Sequence, residues 1–184
     1  MSSWEAFSAD GHAATWETWD GEHTEALTLR WENEAWTATG VLGRERVEYV
    51  LRLSPTWRVR QFLLFRDLDE PDLWLGNDGH SRWGEVNGAH RTDLDGCEDI
   101  ELPSSAFAPT VPLRRLPLGV GDSADVSIVV VDVETLAVVP ASRRYTRVDE
   151  RRWQRWRSET QETDEFDVDD HGLVLDQSGR SRRR

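Results

Sequence analysis

Lysine is missing from this 184-residue chain, and all 22 of its basic residues are arginine. Cysteine occurs once, as Cys97, so no disulfide can close within the chain and an oxidative framework is excluded. No stretch approaches the roughly 20 apolar residues that a membrane-spanning helix needs. The opening Met1-Ser2-Ser3-Trp4-Glu5 has neither the basic nor the apolar run of a secretory leader, and a cytoplasmic location is the expectation. The five histidines, His12, His23, His80, His90 and His171, stand in no His-x-His or His-Glu-x-x-His spacing, so neither a metal nor another cofactor is expected.

What is present is acid. The net charge of −13 describes a surface that repels itself at low ionic strength and stays soluble in salt, the pattern of a salt-adapted protein. Such a chain is a poor partner for nucleic acid, whose phosphates need neutralising cations. Arg151, Arg152, Arg155 and Arg157 interleave with Trp153 and Trp156, but Glu159, Glu162, Asp164 and Glu165 follow at once and are placed to pair with them across a hairpin.

Alternation with period two dominates. Leu27, Leu29 and Trp31 share a face, as do Val47, Tyr49, Leu51 and Leu53. The run Trp57 to Phe65 predicts a strand with Trp57, Val59 and Leu63 on one face and Phe62 and Leu64 on the other. Leu73-Trp74-Leu75 leads into Gly76-Asn77-Asp78-Gly79, a hairpin signal, and Trp83 lies on the return. Val126 to Val131 is too short and too β-branched for a preferred helix. Pro140 reads as a break, and Ser178 to Arg184 as a frayed polar tail. Tyr49 and Trp57 recur as Tyr145 and Trp153 at an offset of 96 residues, which suggests one domain over 1–184 made of two similar repeats, about 19–93 and 94–179. The expected fold is all-β and mainly antiparallel: a spiral β-roll or half-barrel with at most one short helix.

The stretch Leu94 to Leu118 lies between those halves. Read as strand, Asp95, Cys97, Asp99 and Glu101 share a face, and Arg114 and Arg115 point to opposite sides. The inward arginine either forms a structural ion pair with the nearby acids or meets an anionic headgroup. Cys97 is either a small buried apolar residue or a nucleophile lacking an adjacent base. Asp95 and Asp99 could work as an acid–base pair. Trp57, Trp83, Tyr49 and Tyr145, with Phe107, are candidates to line a concave pocket.

Leu94-Asp95-Gly96-Cys97, Asp99-Ile100, Phe107, Pro112 and Leu113-Arg114-Arg115-Leu116 resemble the putative glycolipid-binding family of bacterial and archaeal proteins. Tyr49, Trp57, Asp78-Gly79 with Trp83, Tyr145, Phe166 and Gly172-Leu173-Val174 support the match. The chain departs from the family's pattern at Ala108-Pro109, at Arg143 and at Gln177-Ser178. The resemblance implies a two-repeat spiral β-roll, similar to the half-barrels of lipoprotein carriers. The expected function is non-catalytic binding of an amphipathic small molecule, such as a glycolipid. The alternatives are an enzyme acting on such a molecule through Asp95, Asp99 or Cys97, and an interaction scaffold with no ligand.

The charge yields a prediction about salt. The melting temperature, followed by circular dichroism, is expected to rise from dilute buffer to molar salt; an unchanged value would contradict the reading.

Overall fold

The computed structural model describes residues 4–43, 47–67 and 69–184; Met1 to Ser3 of the opening run lie outside them. Two open, mainly antiparallel sheets make up the fold. β1 (His12–Thr18), β2 (Thr24–Glu32), β3 (Ala35–Leu42), β4 (Val47–Leu53), β5 (Val59–Arg66), β6 (Leu73–Asn77) and β7 (Trp83–Glu85) form a meander. The second sheet contains β8 (Asp99–Glu101), β9 (Ser123–Val131), β10 (Val138–Arg147), β11 (Arg152–Arg157) and β12 (Thr163–Asp167). β8 runs parallel to β9, and the crossover between them carries α1 (Thr110–Arg115). β13 (Ser181–Arg183) returns to pair with β1, so the first sheet has eight strands, with β13 and β7 as its edges. Among the described residues no helix is long and apolar enough to cross a membrane.

Local chemistry explains the elements. Asn33 and Glu34 both have positive φ, as a two-residue hairpin turn between twisted strands demands. In β2, Glu25, Leu27 and Leu29 face inward while Ala26, Thr28 and Arg30 face out. At Gly40 the absence of a side chain leaves space for the Tyr49 ring, which crosses β3 there; a Cβ on Gly40 would fall 2.1 Å from Tyr49 Cζ.

Four details differ from the sequence reading. A β-bulge between Arg52 and Leu53 resets the register of β5. Val59 therefore shares the buried face with Phe62 and Leu64, while Leu63 turns outward and Trp57 sits in the preceding turn at φ 64°. Pro140 lies inside β10 rather than ending it. It pairs with Val129 on one side, and β11 pairs only with Arg143 to Arg147, so the missing N–H interrupts no ladder. The tail is held as β13. Arg114 and Arg115 lie on α1, not on a strand, because the Pro103 to Pro109 link ends β8 and the chain turns helical at Thr110.

Both faces of the small sheet are covered. Ile100, Val129 and Val131 join the core of the large sheet, while Val126, Ile128, Tyr145, Trp153 and Phe166 pack with Leu113 of α1 and with Val174. That second face also holds an ionic lattice. Arg143, 1% exposed, donates to both oxygens of Glu101 at 3.1 and 2.9 Å and also pairs with Glu159. Arg155 bridges Glu101 and Asp164, and Asp164 also takes Arg157 and Arg180. The expected arginine–acid pairing across this hairpin is thus present.

Burial works to raise the pKa of Glu101, but Arg155, Arg143 and Arg157 overcome it and hold the carboxyl below its ordinary 4.5. Burial likewise opposes, and Arg143 outweighs it in bringing, Glu159 down to about 2. A carboxyl depressed on folding adds stability that is complete above its unfolded pKa and fades as pH falls through the folded one. Denaturant melts are therefore expected to weaken from pH 4.5 towards 2. Glu101→Gln should be less stable at neutral pH and flatter in acid; an acid slope equal to wild type would contradict the lattice's role.

Candidate functional site

One transverse row of the large sheet lies along its inner face. Trp16 pairs with Glu25, Glu25 with Leu42, Leu42 with Val47 and Val47 with Arg66. Register thus sets five side chains from five strands side by side. All five line a cavity of about 1000 Å³. Pro103 to Ala106, leaving β8, form another wall with Val133, and Arg155, Gln177, Arg180 and Ser181 complete it.

Glu25 fixes the geometry. Its Oε1 accepts from the Tyr49 hydroxyl at 2.7 Å and from Ser105 Oγ at 2.6 Å, and its Oε2 accepts from the Ala106 amide at 2.5 Å. Tyr49 reaches it by crossing β3 over Gly40. The hydroxyl of Ser105 in turn accepts the amides of Phe107 and Ala108. Glu25 is only 3% exposed. Burial raises its pKa, while Ser105, Tyr49 and the amides of Ala106 and Phe107 pull it back.

The arginines on the cavity wall are already neutralised. Arg66 pairs with Asp72 at 3.5 Å and donates to the Glu134 carbonyl at 2.8 Å. Arg155 is held by Glu101 and Asp164, and Arg180 by Asp164 at 3.3 Å. Gln177 is buried, and its side-chain amide makes no hydrogen bond among the described residues. Trp16, Leu42, Val47, Ala106 and Val133 supply apolar surface. The arrangement can therefore hold an apolar body beside neutral hydrogen-bonding groups, with little free positive charge.

The family described as "Putative glycolipid-binding" matches residues 13–183. The chain belongs to this family. A solved structure of a DUF1089 family protein from Pseudomonas aeruginosa is similar to it, with a TM-score of 0.71 and 24% identity, covering 98% of this chain and 95% of that one. At that identity the likeness shows the fold. No curated protein matches.

The residues singled out in the sequence are placed differently from one another. Asp99 is buried and takes Arg115 Nη2 at 2.5 Å, with Glu98 at 3.5 Å from the same guanidinium. Arg114 lies 4.6 Å from the ring centres of both Phe7 and Trp57 and donates to the Glu5 and His171 carbonyls. Asp95 is exposed and meets His90 at 2.8 Å, so it does not share a face with Asp99; the turn at Gly96 breaks the alternation. Cys97 is buried and donates to the Ile128 carbonyl. Trp83 is buried and donates its indole N–H to the Cys97 carbonyl at 2.9 Å. Tyr49, Trp57 and Phe107 are core residues of the large sheet, and Tyr145 belongs to the second core. None of these nine site candidates or Cys97 lines the cavity. Two of them support it indirectly: Tyr49 holds Glu25, and the Phe107 amide holds Ser105.

The sequence reading passed over Glu25, Arg66 and Ser105 and named Arg155 and Gln177 only as part of a basic cluster and as a departure from the family's pattern. A signal existed for Glu25, which has the same parity as Leu27 and Leu29 and so belongs inside. The other four become neighbours only through the join between sheets.

Replacing Glu25 tests the clamp. Glu25→Leu leaves two hydroxyls and an amide without an acceptor, each worth about 1–3 kcal/mol when buried. Glu25→Gln keeps one acceptor oxygen and should cost much less. Denaturant melts with hydrogen exchange at Ala106 are expected to show lower stability and lost protection for the Leu variant; unchanged protection would contradict the clamp.

Proposed function

We propose that the protein binds a small amphipathic molecule, a glycolipid or a similar metabolite, in the cavity above the Trp16–Arg66 row, without altering it chemically. The observation that carries this reading is the cavity itself. Its volume of about 1000 Å³ suits an acyl-bearing small molecule, and its wall combines apolar side chains with hydrogen-bonding ones. Burying about ten methylenes gives on the order of 8 kcal/mol before ordering costs, enough for micromolar binding with no catalytic step. The pairing of Arg66, Arg155 and Arg180 favours an uncharged, hydroxyl-rich head over an anionic one, since their charge is already met by acids.

Binding without turnover is favoured by the state of the reactive candidates. Burial, with help from Asp93 and Asp95, pushes the Cys97 thiol up to about 11, away from the thiolate that nucleophilic attack needs. Asp99 is engaged by Arg115, and Asp95 lies outside the cavity.

Protein purified from its own host, extracted under denaturing conditions and analysed by lipid mass spectrometry, is expected to release an amphiphile that incubation with fresh protein leaves unchanged. Val47→Trp, which fills the cavity floor, should lose the passenger and keep the fold. A passenger retained by Val47→Trp would remove the cavity from the account, and a passenger consumed on incubation would make the protein an enzyme.

A further inference from the structure

The outer face of the large sheet carries a second row of cross-strand partners. Arg30 pairs with Thr37, Thr37 with Arg52, Arg52 with Gln61, Gln61 with Gly76 and Gly76 with Gly84. The inward neighbours of Arg52 and Gln61, namely Leu51, Leu53 and Phe62, are buried, so this row faces away from the cavity. At its far end the row has no side chains, because Gly76 and Gly84 stand opposite each other. A groove of about 700 Å³ opens there, lined by Arg52, Arg60, Trp74 and Arg82, with Asp78 and Glu85 on the same wall.

Glycine keeps the groove open. A Cβ on Gly76 would come within 2.9 Å of the Trp74 ring, which lies across that position. A Cβ on Gly79 would fall 1.9 Å from Arg60 Nη1, so the guanidinium rests against the hairpin backbone. Charge is the second observation. Arg52, Arg60 and Arg82 make no ion pair or side-chain hydrogen bond among the described residues, and neither does Arg30 further along the row. Thr37 Oγ1, between Arg30 and Arg52, is buried without a hydrogen-bond partner among the described residues. The neighbouring acids are occupied. Asp78 Oδ1 accepts the amides of His80 and Arg82, Glu85 is taken by Arg91, and His90 is taken by Asp95. On a chain of net charge −13, this is a cluster of three arginines without an ion pair among the described residues, beside an aromatic ring, with only Arg82 feeling the charge of Asp78.

We propose that this groove is a second binding site, for a small molecule carrying a phosphate group on a flat ring. Guanidinium forks match phosphate oxygens in bidentate geometry, and three of them favour a group of more than one negative charge. Trp74 offers the apolar surface against which a ring stacks. The cavity on the other face differs in kind, because its arginines are already paired.

Calorimetric titration of the whole protein with inorganic phosphate and with phenyl phosphate tests the site, alongside flotation on phosphatidylcholine vesicles carrying phosphatidylglycerol. Phenyl phosphate is expected to bind, to bind more tightly than inorganic phosphate, and to weaken as salt rises. The double variant Arg52→Ala/Arg60→Ala, on the outer face of the sheet, should keep its melting temperature and lose about tenfold or more in affinity. Trp74→Ala should erase the preference for phenyl phosphate. Absence of binding, or equal affinity in the double variant, would overturn the proposal. Arginine-dependent vesicle binding without binding of the soluble ester would overturn it too, and would give the face to a membrane surface.

Discussion

One buried carboxylate ties the large sheet to the chain leaving the small one. Glu25 can be nearly dry only because two hydroxyls and a backbone amide converge on it, and they converge only because the Tyr49 ring passes over Gly40. The same bonds hold Ser105 and Ala106 over the row that runs from Trp16 to Arg66. A glycine on β3, an aromatic on β4 and an acid on β2 therefore decide together whether a cavity exists at all. The cost of burying the carboxyl is partly offset by these donors, which makes the position intolerant of a merely apolar replacement.

Arginine is used in three ways on this strongly acidic chain. In the small sheet Arg143 and Arg155 sit in a dry lattice with Glu101, Glu159 and Asp164, where removing one member leaves a buried charge alone. Arg114 is held by rings and carbonyls between Phe7 and Trp57. On the outer face Arg52, Arg60 and Arg82 make no ion pair among the described residues, in a groove they share with Trp74 and with Asp78 and Glu85, whose carboxylates have other hydrogen-bond partners. Charge paired inside and unpaired outside separates a neutral cavity from a cationic groove on opposite sides of one sheet.

Much of the fold was legible because period-two alternation is strong in β2, β4 and β9 and because burial on one face sets the register. β1 and β13 were not legible: β1 carries few large apolar residues to mark an alternation, and β13 is three polar residues that gain their place only by pairing with β1. The faces of Trp57 and Leu63 were misassigned because a bulge adds one residue without leaving a mark such as Gly or Pro. The ion pair of Asp99 and Arg115 was among the readings left open, but the helix that delivers Arg115 was not, because six residues containing Pro112 carry no helical periodicity to read. The cavity wall was the least visible part. Its residues come from the ends of seven strands and from connections between them, where no local pattern marks a shared location.

A crystal structure of protein isolated from its own host tests the central claim most directly. The account predicts continuous non-protein density between the row Trp16, Glu25, Leu42, Val47 and Arg66 and the segment Pro103 to Ala106, with the Glu25 hydrogen bonds intact. A cavity collapsed onto its own side chains, or a bound amphiphile lying anywhere else on the molecule, would contradict it.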